Sequence, residues 1–261
     1  MTRMADLARI HEAIMAAAGA IQPFTSGDVE FEIKAERGDP LTAADEAADR
    51  VLREMLPAKG EGWLSEESID DPVRLRCRRV WVVDPIDGTQ EFVDGIPEWC
   101  ISVGLVEDGL PVAGGIYNPA TDELVIGSLE TGVEYQGCPS SVTGLPDLDG
   151  ATILASRSEI RRGEWSGLDE APCEVQPCGS VAFKMALVAA GQADGTWTLV
   201  PKHEWDVAAG TALVRAAGGS AIHADGTEPA FNQPVPRHPN FLAAGAGVLM
   251  DFRENWMKVY S

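Results

Sequence analysis

Residues 80–89 have the sequence VWVVDPIDGT, in which a short apolar run passes directly into two aspartates and a turn. The run from Val80 to Val83 suits a buried strand, because consecutive apolar residues fill both faces of a covered sheet. Asp84 and Asp87 then project from the end of that strand into one small space. Neighbouring carboxylates repel each other unless a proton or a cation intervenes. This stretch therefore predicts a divalent-cation site, with Mg²⁺ or Mn²⁺ as the ions that all-oxygen sites prefer.

The turn after the strand supplies further polar groups. The Ile86 carbonyl, exposed by the turn at Pro85, is a candidate ligand. Gly88 and Thr89 leave backbone amides free at the start of the next element, which is a natural seat for a phosphate. An acid-rich turn that only caps a helix is the competing interpretation, and the run of turn and acid residues after an apolar strand weakens it.

Three other segments carry acids beside turns or helix starts. Glu66 and Glu67 follow a Trp-Leu-Ser segment, where a solvated loop is the simpler explanation. Asp206 lies where a helix is expected to begin, so an N-cap role competes with metal binding. Asp45 lies three residues after Thr42 and would complete a capping box at the helix that Thr42 starts. Taken singly, none of the three exceeds its simpler explanation.

The spacing of hydrophobic residues outside these motifs predicts the fold class, which is α+β in the first half of the chain and α/β in the second. Helices are predicted over 3–18, 43–56, 181–190 and 207–217. Strands are predicted over 99–106, 112–117, 123–128, 151–155, 196–200 and 241–244. A polar loop is predicted over 34–40. The first strands make a largely antiparallel sheet, and strand–helix alternation in the second half suggests an α/β layer.

The Gly-, Pro- and Asp-rich stretch 137–150 is the expected domain boundary. Residues 1–145 would form an N-terminal α+β domain that carries the metal-binding motifs. Residues 146–261 would form a C-terminal α/β domain that contributes Asp206 and substrate contacts. The expected architecture is two sheets sandwiched between helices, with a cleft between the halves.

Composition excludes several classes of function. Forty-one acidic and twenty basic residues give a net charge of -21, which disfavours nucleic-acid polymers and anionic membranes as partners. No apolar run approaches the roughly 18 residues of a membrane-spanning helix, and the N-terminus is a poor signal peptide. The five cysteines include no CxxC pair, which argues against a zinc site or a disulfide framework and favours the cytoplasm.

Together the motifs resemble the inositol monophosphatase superfamily of lithium-sensitive, Mg²⁺-dependent phosphatases. In chain order they are Glu-Glu-Ser at 66–68, Asp-Pro-Ile-Asp-Gly-Thr at 84–89, Gly-Ser at 179–180 and Trp-Asp-x-Ala-Ala-Gly at 205–210. The resemblance extends from the segment with Lys34 and Asp45 to Gly219. It implies the layered α-β-α-β-α sandwich of sugar phosphatases, with the active site in the cleft between the halves.

The resemblance also implies a role for each matched residue. The implied ligands are Glu67, Asp84 and the Ile86 carbonyl for a first ion, and Asp84, Asp87 and Asp206 for a second. Glu67 and, through solvent, Asp45 would fix a weaker third ion. Two or three Mg²⁺ ions are thus expected, with Mn²⁺ as a substitute and Li⁺ and Ca²⁺ as inhibitors.

The implied catalytic residues are Glu67, Thr89 and Asp45, which would help a metal-activated water to attack phosphorus directly. The implied substrate contacts are Asp87, Gly88, Thr89, Gly179, Ser180, Lys202 and Lys34. No phosphoenzyme is needed, in agreement with the absence of a G-x-S-x-G motif from the sequence. The expected partner is a small phosphate ester, and relatives of this kind leave a homodimer open.

Different motifs in the sequence indicate different phosphate esters as the substrate. Residues 88–92 read GTQEF, closer to the GTKEF of 3′(2′),5′-bisphosphate nucleotidases than to the GTTNF of inositol phosphatases. Inositol phosphatases carry a glutamate that binds sugar hydroxyls seven residues before the Trp-Asp aspartate, and this chain has Leu199 there. The segments GIP at 95–97 and IYNP at 116–119 instead resemble inositol or histidinol phosphatases. Lys202 lies near enough to meet a second phosphate.

The predicted function is therefore a Mg²⁺-dependent phosphomonoesterase, with 3′(2′),5′-bisphosphate nucleotidase as the first assignment. An inositol-1-monophosphatase, or a histidinol or sugar phosphatase, is the alternative within the superfamily. A non-catalytic relative that binds metal or a protein partner is a third interpretation, which the intact acidic residues disfavour.

Overall fold

The structure, a computed structural model, describes residues 2–34, 40–168 and 170–257. Most of the loop predicted at 34–40 lies outside these ranges. The helices are α1 Arg3–Ile21, α2 Ala43–Met55, α3 Thr89–Asp94, α4 Arg157–Arg161, α5 Val181–Ala189, α6 Glu204–Ala216 and α7 Ala246–Asp251. Within the described ranges, no helix has both the length and the apolar character that crossing a membrane requires.

A short antiparallel pair, β1 (Phe31–Ile33) and β2 (Pro40–Thr42), precedes a seven-stranded sheet. The strands of that sheet, in spatial order, are β3 Gly62–Ser65, β4 Arg79–Asp87, β5 Cys100–Glu107, β6 Leu110–Asn118, β7 Glu123–Ser128, β8 Gly132–Tyr135 and β9 Cys138–Ser140. Each neighbouring pair is antiparallel except β3 and β4, which are parallel. The predicted antiparallel sheet is therefore confirmed.

A five-stranded sheet follows in the second half of the chain. Its strands, in spatial order, are β11 Glu174–Cys178, β10 Thr152–Ser156, β12 Gly195–Thr198, β16 Phe241–Ala244 and β14 Ser220–Ile222. The strands β10, β11 and β12 are parallel, and β16 runs antiparallel to both of its neighbours. A separate two-stranded pair consists of β13 Lys202–His203 and β15 Arg237–His238.

The helices and the two large sheets alternate in layers. Helices α1 and α2 pack on the outer face of the seven-stranded sheet around buried residues such as Ile10, Leu52 and Trp81. Helices α5 and α6 fill the space between the sheets, and α7 packs beyond the second sheet. This order confirms the expected layered sandwich. The division at residue 145 stays a prediction, and α6, from the second half, packs on the sheet of the first half.

Two glycines bring the backbone of α6 directly onto that sheet. A Cβ atom on Gly104 would lie 2.9 Å from the backbone nitrogen of Ala209, and one on Gly114 would lie 2.7 Å from its carbonyl oxygen. No side chain larger than hydrogen fits at either position without movement of the backbone. The close contact holds the backbone of α6 at Ala209 directly against β5 and β6.

N-capping interactions were predicted at the starts of α2 and α6. Thr42 is the N-cap of α2 and forms a capping box with Asp45, as predicted. Helix α6 begins at Glu204, three residues before the predicted start, and its N-cap is His203 rather than Asp206. Asp206 instead accepts a hydrogen bond of 2.8 Å from the backbone nitrogen of His203. The N-cap interpretation of Asp206 is corrected accordingly: its carboxylate lies inside the first turn.

Candidate metal centre and active site

Three carboxylates from three different elements meet at the end of β4. Glu66 follows β3, Asp84 lies near the end of β4, and Asp206 lies in the first turn of α6. One carboxylate oxygen from each lies within 4.8 Å of the others. Asp84 is almost completely buried. The structure thus brings together two of the sequence-predicted ligands, Asp84 and Asp206, with a third acid beside them.

The third acid is Glu66, whereas the resemblance implied Glu67. The parallel pairing of β3 with β4 aligns Ser65 with Val83, and the Glu66 nitrogen continues it with a hydrogen bond of 3.3 Å to the Val83 carbonyl. The next residues along the two strands are Glu66 and Asp84, so their side chains share one face. Glu67 lies outside the three-carboxylate group. The geometry therefore favours Glu66 over Glu67 as the third member of this group.

Lys34 lies against both glutamates. Its Nζ atom lies 2.8 Å from Oε1 of Glu66 and 2.5 Å from Oε1 of Glu67. Burial lowers the pKa of Lys34, but the two carboxylates more than offset this effect, so its pKa is raised overall. Burial and the charge of Glu66 raise the pKa of Glu67 to about 7, although Lys34 opposes the shift. Lys34 therefore acts as a counter-charge to both acids.

The segment that carries the two glutamates, residues 65–68, is held by Asp49, an acidic residue of α2. The Ser65 hydroxyl donates a hydrogen bond of 2.5 Å to Oδ1 of Asp49, and the Ser68 hydroxyl donates one of 2.7 Å to Oδ2. Both ends of the four-residue segment are thus tied to the same carboxylate. This arrangement fixes the backbone from which Glu66 and Glu67 project.

Asp87 binds the N-terminus of α5. Its Oδ2 atom accepts hydrogen bonds of 2.5 Å from the Ser180 hydroxyl and from the Ala182 nitrogen. Burial raises the pKa of Asp87, although both hydrogen bonds oppose the shift. The predicted substrate contact Ser180 therefore lies directly against a predicted metal ligand, and Asp87 retains a second oxygen, Oδ1, for other partners.

Thr89 and Asp45 meet beside this cluster. The Thr89 hydroxyl lies 3.1 Å from Oδ1 of Asp45 and 3.0 Å from the Ile86 carbonyl. Oδ2 of Asp45 accepts from the nitrogen and hydroxyl of Thr42, at 2.8 and 2.6 Å. Burial raises the pKa of Asp45 despite these donors. The structure brings together the two predicted catalytic residues and one predicted carbonyl ligand.

The remaining predicted substrate contacts are Gly88, Gly179 and Lys202, and each of them has different neighbours. Gly88 has a φ of +97° and precedes α3, where a Cβ atom would lie 3.0 Å from the Glu98 carbonyl. The Gly179 nitrogen donates a hydrogen bond of 2.6 Å to Oε2 of Glu98, so this amide has a protein partner. Lys202 lies 3.7 Å from Oε1 of Glu159, and its charge lowers the pKa of Asp206. Lys202 is therefore close enough to influence the cluster.

The electrostatics of the cluster favour binding of cations. Burial raises the pKa of Asp84 well above its ordinary value, and the charges of Glu66, Asp87 and Asp206 add to the shift. Burial and the charge of Asp87 raise the pKa of Asp206 to about 8. Carboxylates crowded in this way must share protons or bind a cation. A divalent ion with oxygen ligands fits the donor set, since each member offers a hard oxygen.

Sequence reasoning missed several residues at this site. The motif at 66–68 contains Glu66, but the resemblance implied Glu67 as the metal ligand. The register of the parallel strands β3 and β4 is the signal that favours Glu66. Glu159 is buried, and it accepts from Trp165 and Thr198 besides its contact with Lys202. Lys184 is the single charged residue in the apolar sequence of α5, and its carbonyl contacts adjoin Asp87. A charge inside an apolar helix is a signal that the sequence alone could have supplied.

The comparisons with known proteins agree with this geometry. Residues 3–255 match the model of the inositol monophosphatase family. The chain is 36% identical over 198 residues to an inositol-1-monophosphatase of Mesorhizobium japonicum, covering 72% of this chain and 74% of that protein. It is 30% identical over 255 residues to a 3′-phosphoadenosine 5′-phosphate phosphatase of Mycobacterium leprae, covering 88% and 90%. The structure of an inositol monophosphatase from Thermotoga maritima superposes with a TM-score of 0.82 at 27% identity, covering 99% and 97%.

These matches extend over most of the chain and include the elements that carry the carboxylates. Members of this metal-dependent family are phosphoric monoester hydrolases, so the enzyme class expected from the sequence is confirmed. The chain belongs to the inositol monophosphatase family and is a phosphatase of that family.

Proposed function

We propose that this phosphatase hydrolyses a small phosphate ester in a Mg²⁺-dependent reaction, with a 3′(2′),5′-bisphosphate nucleotide as its substrate. The group of Glu66, Asp84 and Asp206 oxygens within 4.8 Å of one another is the observation that carries the reaction class. The substrate assignment rests on Leu199 and on the cation of Lys202. Both lie just before the helix that carries Asp206.

In this proposal, Glu66, Asp84 and Asp206 hold the divalent cations, and Asp87 and the Ile86 carbonyl complete the oxygen ligands. Mg²⁺ is the proposed ion, Mn²⁺ a substitute, and Li⁺ and Ca²⁺ inhibitors. A bound divalent ion supplies charge neutralisation for the phosphate and lowers the pKa of water. Lys34 balances part of the negative charge of the cluster through Glu66 and Glu67.

Thr89 and Asp45 orient the attacking water in this proposal. Since the Thr89 hydroxyl donates to Oδ1 of Asp45, a lone pair of the hydroxyl oxygen is free to accept a hydrogen bond from water. Asp45 is fixed by its two hydrogen bonds from Thr42, so the orientation of Thr89 is set in advance. Glu67, the neighbour of Glu66 in the chain, is proposed to help orient the same water, the role that the resemblance implies for it.

The phosphate group is expected at the N-terminus of α3. The amides of Gly88 and Thr89 face the ester there, because Gly88 adopts the left-handed conformation that starts the helix. Phosphate oxygens that meet backbone N–H groups are stabilised without a side-chain charge. Gly179 and Ser180 then border the ester from the side of α5.

Two observations favour a nucleotide over an inositol ester. Leu199 is half-buried between β12 and β13 and offers no acceptor for sugar hydroxyls. Lys202 brings a cation close to Asp206, where a second phosphate of the substrate would find a partner. The similarity to the M. leprae 3′-phosphoadenosine 5′-phosphate phosphatase, over 88% of this chain, supports the same choice.

Inositol 1-phosphate is the second candidate substrate. The 36% identity to the M. japonicum inositol-1-monophosphatase favours it, as do the segments at 95–97 and 116–119. Histidinol phosphate and fructose 1,6-bisphosphate complete the set of esters that the superfamily motifs leave open.

The test is phosphate release from adenosine 3′,5′-bisphosphate, inositol 1-phosphate, histidinol phosphate and fructose 1,6-bisphosphate, each with Mg²⁺ and with a chelator. We expect the highest kcat/KM with the nucleotide, loss of activity with the chelator and inhibition by Li⁺. A higher kcat/KM with inositol 1-phosphate would overturn the substrate assignment. No release from any of the four esters would overturn the phosphatase proposal and favour a non-catalytic relative.

A variant links the activity to the carboxylate group. Asp87→Asn keeps the size of the side chain but removes the negative charge that a divalent ion requires. We expect turnover to be lost while the circular dichroism spectrum stays unchanged. Unchanged turnover in this variant would show that the metal assignment is wrong.

A further inference from the structure

Lys184 is the one charged residue in α5, whose sequence is VAFKMALVA. Its side chain is buried, with 3% of its surface exposed. It lies in the first turns of the helix, where the helix dipole is positive and disfavours a cation. Burial also lowers its pKa, because removal from water disfavours the charged form. A cation in this position needs strong compensating contacts.

The compensating contacts come from three consecutive backbone carbonyls. Nζ of Lys184 lies 2.8 Å from the Ser180 carbonyl oxygen, 3.3 Å from that of Cys178 and 3.5 Å from that of Gly179. An ammonium group has three N–H donors, so one cation satisfies all three carbonyls of the turn that leads into α5. The turn and the lysine therefore depend on each other.

The same turn binds Asp87. Ser180 adopts a φ of +53°, a left-handed conformation that is strained for a residue other than glycine. In this conformation the Ser180 hydroxyl donates to Oδ2 of Asp87 at 2.5 Å and accepts from the Phe183 nitrogen at 2.9 Å. The Ala182 nitrogen donates to the same Asp87 oxygen at 2.5 Å. The position of Asp87 is thus determined by the backbone that Lys184 holds.

The amide side of the turn has a separate anchor. The Gly179 nitrogen donates to Oε2 of Glu98 at 2.6 Å, and Arg157 binds the same carboxylate with two N–H groups at 2.5 and 2.6 Å. A Cβ atom on Gly179 would lie 2.5 Å from Cγ of Glu91, so no space separates the turn from α3. Glu98 therefore fixes the amide side, and Lys184 fixes the carbonyl side.

We propose that Lys184 is a positioning residue for the metal centre: it holds the carbonyls of residues 178–180 so that Ser180 and Ala182 orient Asp87. The proposal rests on the assignment of Asp87 to the metal centre in the proposed function. Lys184 itself touches neither ester nor ion. Its removal leaves three carbonyls without their shared donor, and the left-handed conformation of Ser180 then relaxes.

The test compares Lys184→Met with Val188→Ala, a matched control. Met approximates the length of the lysine chain without its charge. Val188 is buried one turn further along the same helix. Two quantities are measured for each variant and the wild type: the increase in Tm with Mg²⁺ concentration, and the Mg²⁺ concentration that gives half-maximal phosphate release. The Tm readout reports binding without turnover.

We expect Lys184→Met to require about tenfold more Mg²⁺ in both measurements, as is typical when a residue that orients a metal ligand is removed. Saturating Mg²⁺ should restore most of kcat. Val188→Ala should lower Tm without changing the Mg²⁺ dependence. An unchanged Mg²⁺ dependence in Lys184→Met would overturn the proposal, because a purely structural lysine lowers Tm alone.

Two further variants keep the test decisive. Lys184→Gln retains two neutral N–H donors and provides the same comparison if the methionine variant does not fold. In an Asp87→Asn background, Lys184→Met should cause no further change in Mg²⁺-dependent stabilisation, and an additional tenfold change there would contradict an effect through Asp87. A wild type that gains Tm with Mg²⁺ but releases no phosphate would reject the proposed function and leave this test intact.

Discussion

The Thr89 hydroxyl lies 3.1 Å from Oδ1 of Asp45, although 44 positions separate the two residues in the chain. Asp45 therefore has two structural roles at once. One oxygen accepts the capping hydrogen bonds of α2 from Thr42, and the other accepts from Thr89 at the start of α3. The start of α2 is thereby connected to the residue that follows the DPIDG turn.

Thr89→Val should abolish most of the turnover, because valine has nearly the same shape but no hydroxyl to orient water. We expect kcat to fall by a factor of about 10² or more, the size typical of a lost proton-transfer partner. Thr89→Ser keeps the hydroxyl and should retain most of kcat. Equal kcat values in the two variants would contradict the role of the hydroxyl, and Tm measurements exclude unfolding as the cause.

Glu66→Gln and Glu67→Gln should separate the two adjacent glutamates. Only Glu66 has its carboxylate in the group with Asp84 and Asp206 among the described residues. We expect Glu66→Gln to lose the increase in Tm that Mg²⁺ produces, because an amide is a weaker ligand than a carboxylate. Glu67→Gln should keep that increase and lower kcat. The opposite pattern would restore Glu67 as the ligand.

Two histidines away from the metal centre should make the stability of the protein depend on pH. Nδ1 of His238 lies 3.1 Å from Nε2 of His223, and His238 is 4% exposed. Burial and the neighbouring charge of His223 lower the pKa of His238 from an ordinary 6.5 to about 4. In the strand pair β13–β15, His238 is the partner of Lys202.

The contribution of His238 to the free energy of unfolding should therefore fall as the pH drops below 6.5, since the unfolded chain binds a proton at His238 before the folded chain does. A shift from 6.5 to about 4 corresponds to about 2 kcal/mol lost between pH 7.5 and pH 5. Urea unfolding at both pH values measures the loss. Relative to the wild type, the free energy of unfolding of His238→Gln should change by about 2 kcal/mol in the stabilising direction from pH 7.5 to pH 5, and that of the exposed control His11→Gln should change as the wild type does. Equal changes in all three proteins would refute the assignment.

Leu199→Glu should change the choice of substrate. A glutamate there accepts hydrogen bonds from sugar hydroxyls and repels a second phosphate. We expect the ratio of kcat/KM for inositol 1-phosphate to that for adenosine 3′,5′-bisphosphate to rise about tenfold. Leu199→Gln provides the acceptor without the charge and distinguishes the two effects. An unchanged ratio in both variants would remove Leu199 from the determinants of specificity.

Much of the fold was predictable because local patterns were strong. The strands at 123–128 and 241–244 have the observed bounds, and α5 ends within one residue of its predicted end. Helix α6 was predicted to begin too late, because His203 is an uncommon N-cap and the apolar spacing becomes clear only at Val207. Patterns of spacing identify helices more reliably than their first turns.

The positions of site residues were predictable where neighbouring residues in the sequence determine the local backbone. Asp84 and Asp87 were identified because a strand and a turn fix both of them locally. The choice between Glu66 and Glu67 depends on the register of β3 against β4, which is a tertiary property and was not read from the motif. The contacts of Glu159 with Thr198 and Lys202 likewise join residues that are brought together only by packing of the second half.

The glycines under α6 limit how this enzyme can be engineered. Even alanine at position 104 or 114 would force the helix away from the sheet, because its Cβ would lie under 3 Å from the backbone of Ala209. The packing of α6, the helix that carries Asp206, on this sheet is therefore set by contact of backbone with backbone at Ala209. A library that aims at new esters should keep these glycines and the helix cap His203 constant and vary residues 199–202.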